Sequence, residues 1–180
     1  MNRVRQAVGE MLIYLFAAFL ITGGVLAFSY VPSGAMVTYN GGYAPLRGTE
    51  MSSAYHSILD LGFDDPGGLF ARQVHHRCTI LLGLGTVVWA LLGRYRYALP
   101  VLGLAALGAL GGYGSADDLL SGTFLARVPI PAWYGLHLLV AVAVAVLLVV
   151  SSRREAAQQP RTAGFVAVTL GLTAMLIFTL

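Results

Sequence analysis

The sequence predicts an all-α membrane protein with about five transmembrane helices. Its composition is 57% hydrophobic and only 11% charged, whereas a soluble domain carries about 25% charged residues. A chain of this composition has too few polar side chains to cover a folded surface. Apolar runs near the length of about 20 residues that crosses a bilayer core occur at Met11 to Phe28, Leu69 to Leu92, Tyr97 to Tyr113, Ile130 to Val150 and Phe165 to Leu180.

Arginines cluster in alternate connections between these runs. They lie at positions 3 and 5, at 94 and 96, and at 153, 154 and 161. The positive-inside rule assigns such connections to the cytoplasm, so we expect a multi-pass protein of the cell membrane with its N-terminus inside and its C-terminus outside. The two outer connections, residues 29–68 and 114–129, then contain six of the eight acidic residues.

The first outer connection contains a segment with apolar residues at helical spacing, from Thr49 to Leu61. This pattern predicts a short helix on the membrane surface. The connection between the second and third runs has only a few residues, so those two helices should be antiparallel neighbours. No soluble domain is expected, and a net charge of +3 is too small and scattered to indicate nucleic acid as a partner. Lipid and other membrane chains remain as partners.

Two histidines fall inside predicted spans at matching depths. His75 lies six residues after Leu69, and His137 lies six residues after Pro131. Both helices run from outside to inside, so each imidazole lies about 9 Å below the outer end of its helix. Paired imidazoles in a bundle core can hold a haem. They can equally serve as interhelical hydrogen-bonding groups, and without an acidic residue or second cysteine beside them they do not indicate a bare metal site.

Three neighbours of His75 are further candidates. Arg72 is on nearly the same helix face and nearer the outer surface, where a buried cation needs a partner such as a haem propionate or a lipid headgroup. Arg77 points to the opposite side, where lipid headgroups or a partner subunit are its expected contacts. His76 is rotated by about 100° from His75, and it is the alternative ligand if the helix is turned.

Several segments of the chain resemble the N-terminal, haem-binding half of cytochrome b from quinol-oxidising bc-type complexes. They occur in the order and topology of that family. The matching segments are Thr22-Gly23 with Phe28, Tyr30 and Pro32, then Ser53 to Ile58, Gly68 to His75, Gly112-Tyr113, and Tyr134 to His137.

The resemblance implies a cytochrome b-like four-helix haem-binding domain over residues 1–151, followed by a cytoplasmic connection and a fifth transmembrane helix over 152–180. It implies that His75 and His137 ligate one haem b and that Arg72 contacts a propionate. It also implies close approach of the haem at Gly23 and Gly112, since glycine has no side chain to keep a macrocycle away.

The departures from the family concern its second, inner haem. That haem is held by histidines fourteen residues further along each ligating helix, where this chain has Trp89 and Ser151. The inner glycine of the third helix is replaced by Ala98, although Gly9 keeps its spacing in the first. We therefore expect a form that has lost the inner-haem ligands, with Trp89 filling part of the inner position and its indole N–H bonded to Ser151 or to a helix carbonyl.

The predicted function is that of a mono-haem b-type cytochrome subunit, which is itself a non-catalytic part of a larger membrane oxidoreductase. It would pass electrons between the quinone pool or another membrane haem and an outer-face redox protein. Quinone is a further candidate ligand. The alternative is a haem-free structural or anchoring subunit descended from cytochrome b, and a small transporter using the intramembrane histidines is a third reading.

Overall fold

The computed structural model describes residues 2–179, and within that range the protein is an all-α membrane protein with one small β-ladder. The fold class predicted from the sequence is confirmed. The elements are α1 (Asn2–Ser29), β1 (Met36–Thr38), β2 (Glu50–Ser52), α2 (Ser53–Phe63), α3 (Pro66–Trp89), α4 (Tyr95–Ala116), α5 (Ile130–Gln158) and α6 (Ala163–Thr179).

Three continuous helical stretches of the described chain are long and apolar enough to cross a membrane, namely residues 2–29, 66–116 and 130–158. The second contains two helices, α3 and α4, which reverse direction at Gly93. Gly93 has a φ of 90°, a left-handed conformation that glycine adopts without steric cost. Because α6 has only 17 residues, it is at the lower limit of about 17 residues for a membrane span.

The helices pack in two pairs, α1 on α3 and α4 on α5, which face each other around an apolar core. Helix α6 lies against α1 and α3. Nη1 of Arg77 donates a hydrogen bond to the carbonyl of Ile177 in α6, at 2.7 Å. This bond ties α3 to a carbonyl near the end of α6, whereas the expected contacts of Arg77 with lipid headgroups or a partner subunit stay a prediction.

The first outer connection contains a small unit built from β1, β2 and α2. The strands are antiparallel, with Met36 opposite Ser52, and the predicted surface helix starts at Ser53 rather than at Thr49 because residues 50–52 pair as β2. The Ser52 hydroxyl accepts a hydrogen bond from the Tyr55 N–H at 3.2 Å, which caps the first turn of α2. His56 pairs with Asp60 at 2.9 Å on the same helix.

The inner end of the bundle, around Trp89 and Ser151, is filled by side chains. Trp89 is 1% exposed and Ser151 is fully buried. A Cβ added at Gly9 would lie 3.2 Å from Nε1 of Trp89, so glycine here lets the indole pack against the α1 backbone. The indole N–H has no hydrogen-bond partner among the described residues. The predicted bond to Ser151 was wrong, because the Ser151 hydroxyl instead accepts from Nε of Arg94 at 3.0 Å.

Two buried glutamates at the same end connect α1 with α5 and with the connection that follows it. Glu155 lies 2.8 Å from Nε of Arg5 and 3.6 Å from Nε of Arg94. Glu10 accepts from Ser152 at 2.7 Å and from two nitrogens of Arg161 at 2.9 and 2.8 Å. Because each carboxylate is only about 4% exposed and has an arginine partner, the charges at this end are compensated.

Replacing Trp89 should separate the contribution of its volume from that of its N–H. Trp89→Ala should lower the free energy of unfolding by about 3 to 5 kcal/mol through loss of a large buried side chain. Trp89→Phe should cost less than about 1.5 kcal/mol, since the lost N–H has no partner. Unfolding in a denaturing detergent measures both, with the exposed Leu91→Ala as the control. A Phe variant as damaged as the Ala variant would show that the indole N–H is bonded.

Candidate functional site

The structure brings His75 of α3 and His137 of α5 together inside the bundle. The centroids of their rings are 6.1 Å apart, and the ring planes are inclined by 52°. Each side chain is partly buried. The matching depths predicted from the helix ends therefore correspond to side chains that face each other between the two helix pairs.

Hydrogen bonds determine which nitrogen of each ring is free. Nδ1 of His75 lies 3.1 Å from the carbonyl oxygen of Phe19, and Nδ1 of His137 lies 2.6 Å from that of Gly108. A carbonyl can only accept, so Nδ1 carries the proton in both rings. When such a ring is neutral, Nε2 has its lone pair available, which is the form in which imidazole binds a metal ion.

One glycine lies against each imidazole. A Cβ added at Gly23 would be 3.1 Å from Cε1 of His75, and one added at Gly112 would be 3.3 Å from Cε1 and Nδ1 of His137. Both distances are shorter than an ordinary carbon contact of about 3.5 to 4.0 Å. In the structure, these two glycines leave room for the imidazole rings. The expected close approach of a macrocycle at Gly23 and Gly112 stays a prediction.

The position of each glycine relative to the accepting carbonyl explains this contact. Gly23 is four residues after Phe19, and Gly112 is four residues after Gly108. In an α-helix the carbonyl of residue i points toward residue i+4 and already accepts from its N–H. Without a Cβ at that residue, the carbonyl can accept a second hydrogen bond from a histidine on the neighbouring helix.

Arg72 and His76 are the other predicted residues of this region. Arg72 is partly buried and forms no hydrogen bond or ion pair within residues 2–179. His76 is exposed, and its ring lies 6.3 Å from that of Tyr113. The close imidazole partner of His137 is thus His75, which argues against His76 as the alternative ligand.

An apolar cavity of about 40 Å³ extends from His137 toward the inner end of the bundle. Its walls include Phe16, Phe19, Leu82, Ala105 and Val140. The Phe19 ring centroid is 3.9 Å from that of His75 and 6.2 Å from that of His137, so this ring lies beside the line that joins the two imidazoles.

Sequence analysis did not identify three residues that contact the histidines. They are Phe19 and Gly108, which act through backbone carbonyls, and Thr22, whose hydroxyl lies 3.2 Å from Nδ1 of His75. Carbonyl acceptors have no signature in a sequence. Thr22 did have a signature in the sequence, because it is the first residue of the Thr22-Gly23 motif.

The outer ends of α1 and α4 are joined by another residue of the same motif. The Tyr30 hydroxyl donates to the carbonyl of Ser115 at 2.6 Å. Burial raises the pKa of Tyr30 to about 12, so the phenol remains protonated and able to donate at physiological pH. This bond fixes the helix carrying Gly23 relative to the helix carrying Gly112.

No cluster of three or more His, Cys, Asp or Glu side chains that could hold a metal ion occurs within residues 2–179. A site of two imidazoles lacks the four protein ligands typical of a structural zinc ion. Two imidazoles could hold a metal ion only if other ligands completed its coordination.

No family model matches the chain, but curated relatives do. It is 42% identical to the cytochrome bc1 complex cytochrome b subunit of Mycobacterium bovis over 126 residues, which are 63% of this chain and 23% of the relative. The corresponding subunits of Streptomyces coelicolor and Corynebacterium efficiens are 39% and 38% identical, over 64% and 65% of the chain and 23% and 24% of their own length. The resemblance to cytochrome b is thus confirmed, and the chain spans about a quarter of the length of these relatives.

Proposed function

We propose that this chain binds one haem b between His75 and His137 and transfers electrons as one subunit of a larger membrane oxidoreductase. The observation that carries the proposal is the pair of facing imidazoles, 6.1 Å apart, each with Nδ1 bonded to a backbone carbonyl and Nε2 free. The names of the relatives, which are cytochrome b subunits of bc1 complexes, support the same function.

The spacing of the imidazoles suits a single iron between them. An imidazole nitrogen binds a metal ion at about 2 Å, and the centre of the ring lies about 1 Å beyond the nitrogen. Two such ligands place the ring centroids about 6 Å apart, close to the 6.1 Å that separates His75 and His137. The bonds to Phe19 and Gly108 hold both rings in the required tautomer, as partners of metal-binding histidines usually do.

The surroundings of the two rings suit the two edges of a haem. Arg72 lies toward the outer end without a partner among residues 2–179, and its charge would be compensated by a propionate. The cavity beyond His137 is lined by apolar side chains and would receive the apolar edge once the Phe19 ring has turned. Bound there, a haem would supply reversible one-electron transfer. The residues of this chain would fix its orientation, exclude water and set its potential.

A single site near one end of the bundle limits the route of the electron. The hydrocarbon core is about 30 Å thick, and the position about 21 Å deeper along each ligating helix is filled by Trp89 and the side chains around it. The chain would therefore exchange electrons at its outer face, with a redox protein there, with quinone or with a haem held by another subunit. In this proposal the arginine-rich connections face the cytoplasm, and residues 1–151 form the haem-binding unit.

Replacement of either ligand should abolish the proposed cofactor site. His75→Ala and His137→Ala should each lose the low-spin b-type absorption spectrum, because each removes one of the two imidazoles that would hold the haem. His76→Ala is the matched control and should keep one haem per chain by the pyridine haemochrome assay. A colourless wild-type protein purified with its complex would favour the haem-free anchoring subunit instead.

Arg72 should affect the potential as well as binding. Arg72→Gln should lower the midpoint potential of the haem, because loss of a nearby positive charge stabilises the oxidised, more positive form. Haem affinity should fall in the same variant. Arg127→Gln removes the same charge from the exposed second outer connection and should change neither quantity. Equal shifts in both variants would indicate a general surface-charge effect and contradict a propionate contact.

The chain should purify with other membrane subunits after gentle solubilisation. The relatives that it matches are subunits of bc1 complexes, so we expect subunits of such a complex to accompany it. Affinity purification followed by mass spectrometry of the co-purifying proteins tests this expectation. Quinol oxidation by the purified single chain would contradict it.

A further inference from the structure

We propose that Thr22 is a positioning residue, whose hydroxyl holds the His75 imidazole and helps to set the midpoint potential of a haem bound there. This inference rests on the proposed haem function and extends it to a side chain that does not touch the iron. The observation is a short chain of polar atoms that starts at the ring and ends on the α1 backbone.

Nδ1 of His75 is within reach of two oxygens on α1. The carbonyl of Phe19 is at 3.1 Å, and the Thr22 hydroxyl is at 3.2 Å. That hydroxyl is 2.9 Å from the carbonyl of Ala18 and 3.0 Å from that of Phe19. A hydroxyl has one hydrogen to donate. When it donates to Ala18, its oxygen remains free to accept from Nδ1–H of His75.

This arrangement gives a continuous relay from Nδ1–H of His75 through the Thr22 oxygen to the carbonyl of Ala18. A hydroxyl that donates a hydrogen bond becomes a better acceptor, so each bond in such a chain strengthens the next. An imidazole whose N–H donates to a good acceptor is more basic at its other nitrogen. Nε2 of His75 would therefore stabilise the oxidised form of a bound iron, and Thr22 would lower the potential.

The two histidines differ in whether a side chain takes part in the hydrogen bonding of Nδ1. His137 has one short bond, 2.6 Å, to the carbonyl of Gly108, and no side chain takes part in it. His75 has two longer contacts, one of which comes from a side chain. The hydrogen bonding of His75 can therefore be changed by substitution, whereas that of His137 is fixed by the backbone.

The test compares Thr22→Val with Thr22→Ser. Valine has nearly the shape of threonine but cannot accept from Nδ1–H, whereas serine keeps the hydroxyl and loses the methyl group. In the haem-loaded protein we expect a higher midpoint potential for Thr22→Val, with haem affinity about 10- to 100-fold weaker, the usual effect of removing a hydrogen-bond partner of a ligating histidine. Thr22→Ser should have the potential and affinity of the wild type.

The matched control for losing a buried hydroxyl is Thr86→Val. Thr86 is fully buried, and its hydroxyl donates to the carbonyl of Leu82 in its own helix at 2.6 Å, without contact to either imidazole. This variant should have the wild-type potential. A shift as large as that of Thr22→Val would assign the effect to general loosening of the bundle and overturn the inference.

A second measurement uses the protein without haem. The ¹⁵N chemical shifts of the His75 ring should change in Thr22→Val and not in Thr22→Ser. If Thr22→Val bound no haem while Thr22→Ser bound it normally, the hydroxyl would be identified as the required group. An unchanged potential in low-spin, haem-loaded Thr22→Val would overturn this inference alone. A wild-type chain that forms no low-spin haem complex would overturn the proposed function and the inference with it.

Discussion

The geometry of the site depends on two backbone carbonyls that each accept two hydrogen bonds. In a membrane no water is available to a buried imidazole, so Nδ1–H needs an acceptor from the protein. Helix carbonyls are already bonded within their helix, and most are shielded by the side chain of residue i+4. At Phe19 and Gly108 that residue is glycine, and the carbonyl can reach a histidine of the neighbouring helix. Each helix pair thus supplies one acceptor and one imidazole.

The inner end of the bundle is held together by a buried indole and by ion pairs. Where the family has a second pair of ligands, α1, α3 and α5 contribute an indole and two glutamates with arginine partners. Such ion pairs add little stability compared with apolar packing, but removing one partner is costly because it leaves a buried charge. The contacts of Glu155 and Glu10 therefore fix α1 relative to α5, whereas the imidazole contacts at the other end join α1 to α3 and α4 to α5.

Much of the helical architecture could be predicted from the sequence, because hydropathy reports the length of each apolar span, whereas the orientation predicted from arginine placement stays a prediction. The histidine pair was also predictable, since helix geometry converts the spacing from each helix end into a depth. The orphaned N–H of Trp89 and the contact between Arg77 and α6 were not, because they depend on how helices rotate against each other. Strand β2 was missed because Glu50 to Ser52 pair with distant residues, and Thr22 was read as a motif position without a partner.

The resemblance to cytochrome b and the geometry of the histidine site answer different questions, and the proposed function rests on both. Sequence identity over about a quarter of each relative's length supports a cytochrome b-like bundle. It does not say which cofactor positions this chain retains. The side chains do bear on that question. At the outer position, the Nε2 atoms of the two imidazoles, the apolar cavity and an Arg72 without a partner in the described part of the chain are each consistent with the same ligand. At the inner position, Trp89 is buried against the α1 backbone, and the two glutamates near it are paired with arginines. This difference between the two positions supports our proposal of a single haem at the histidine pair.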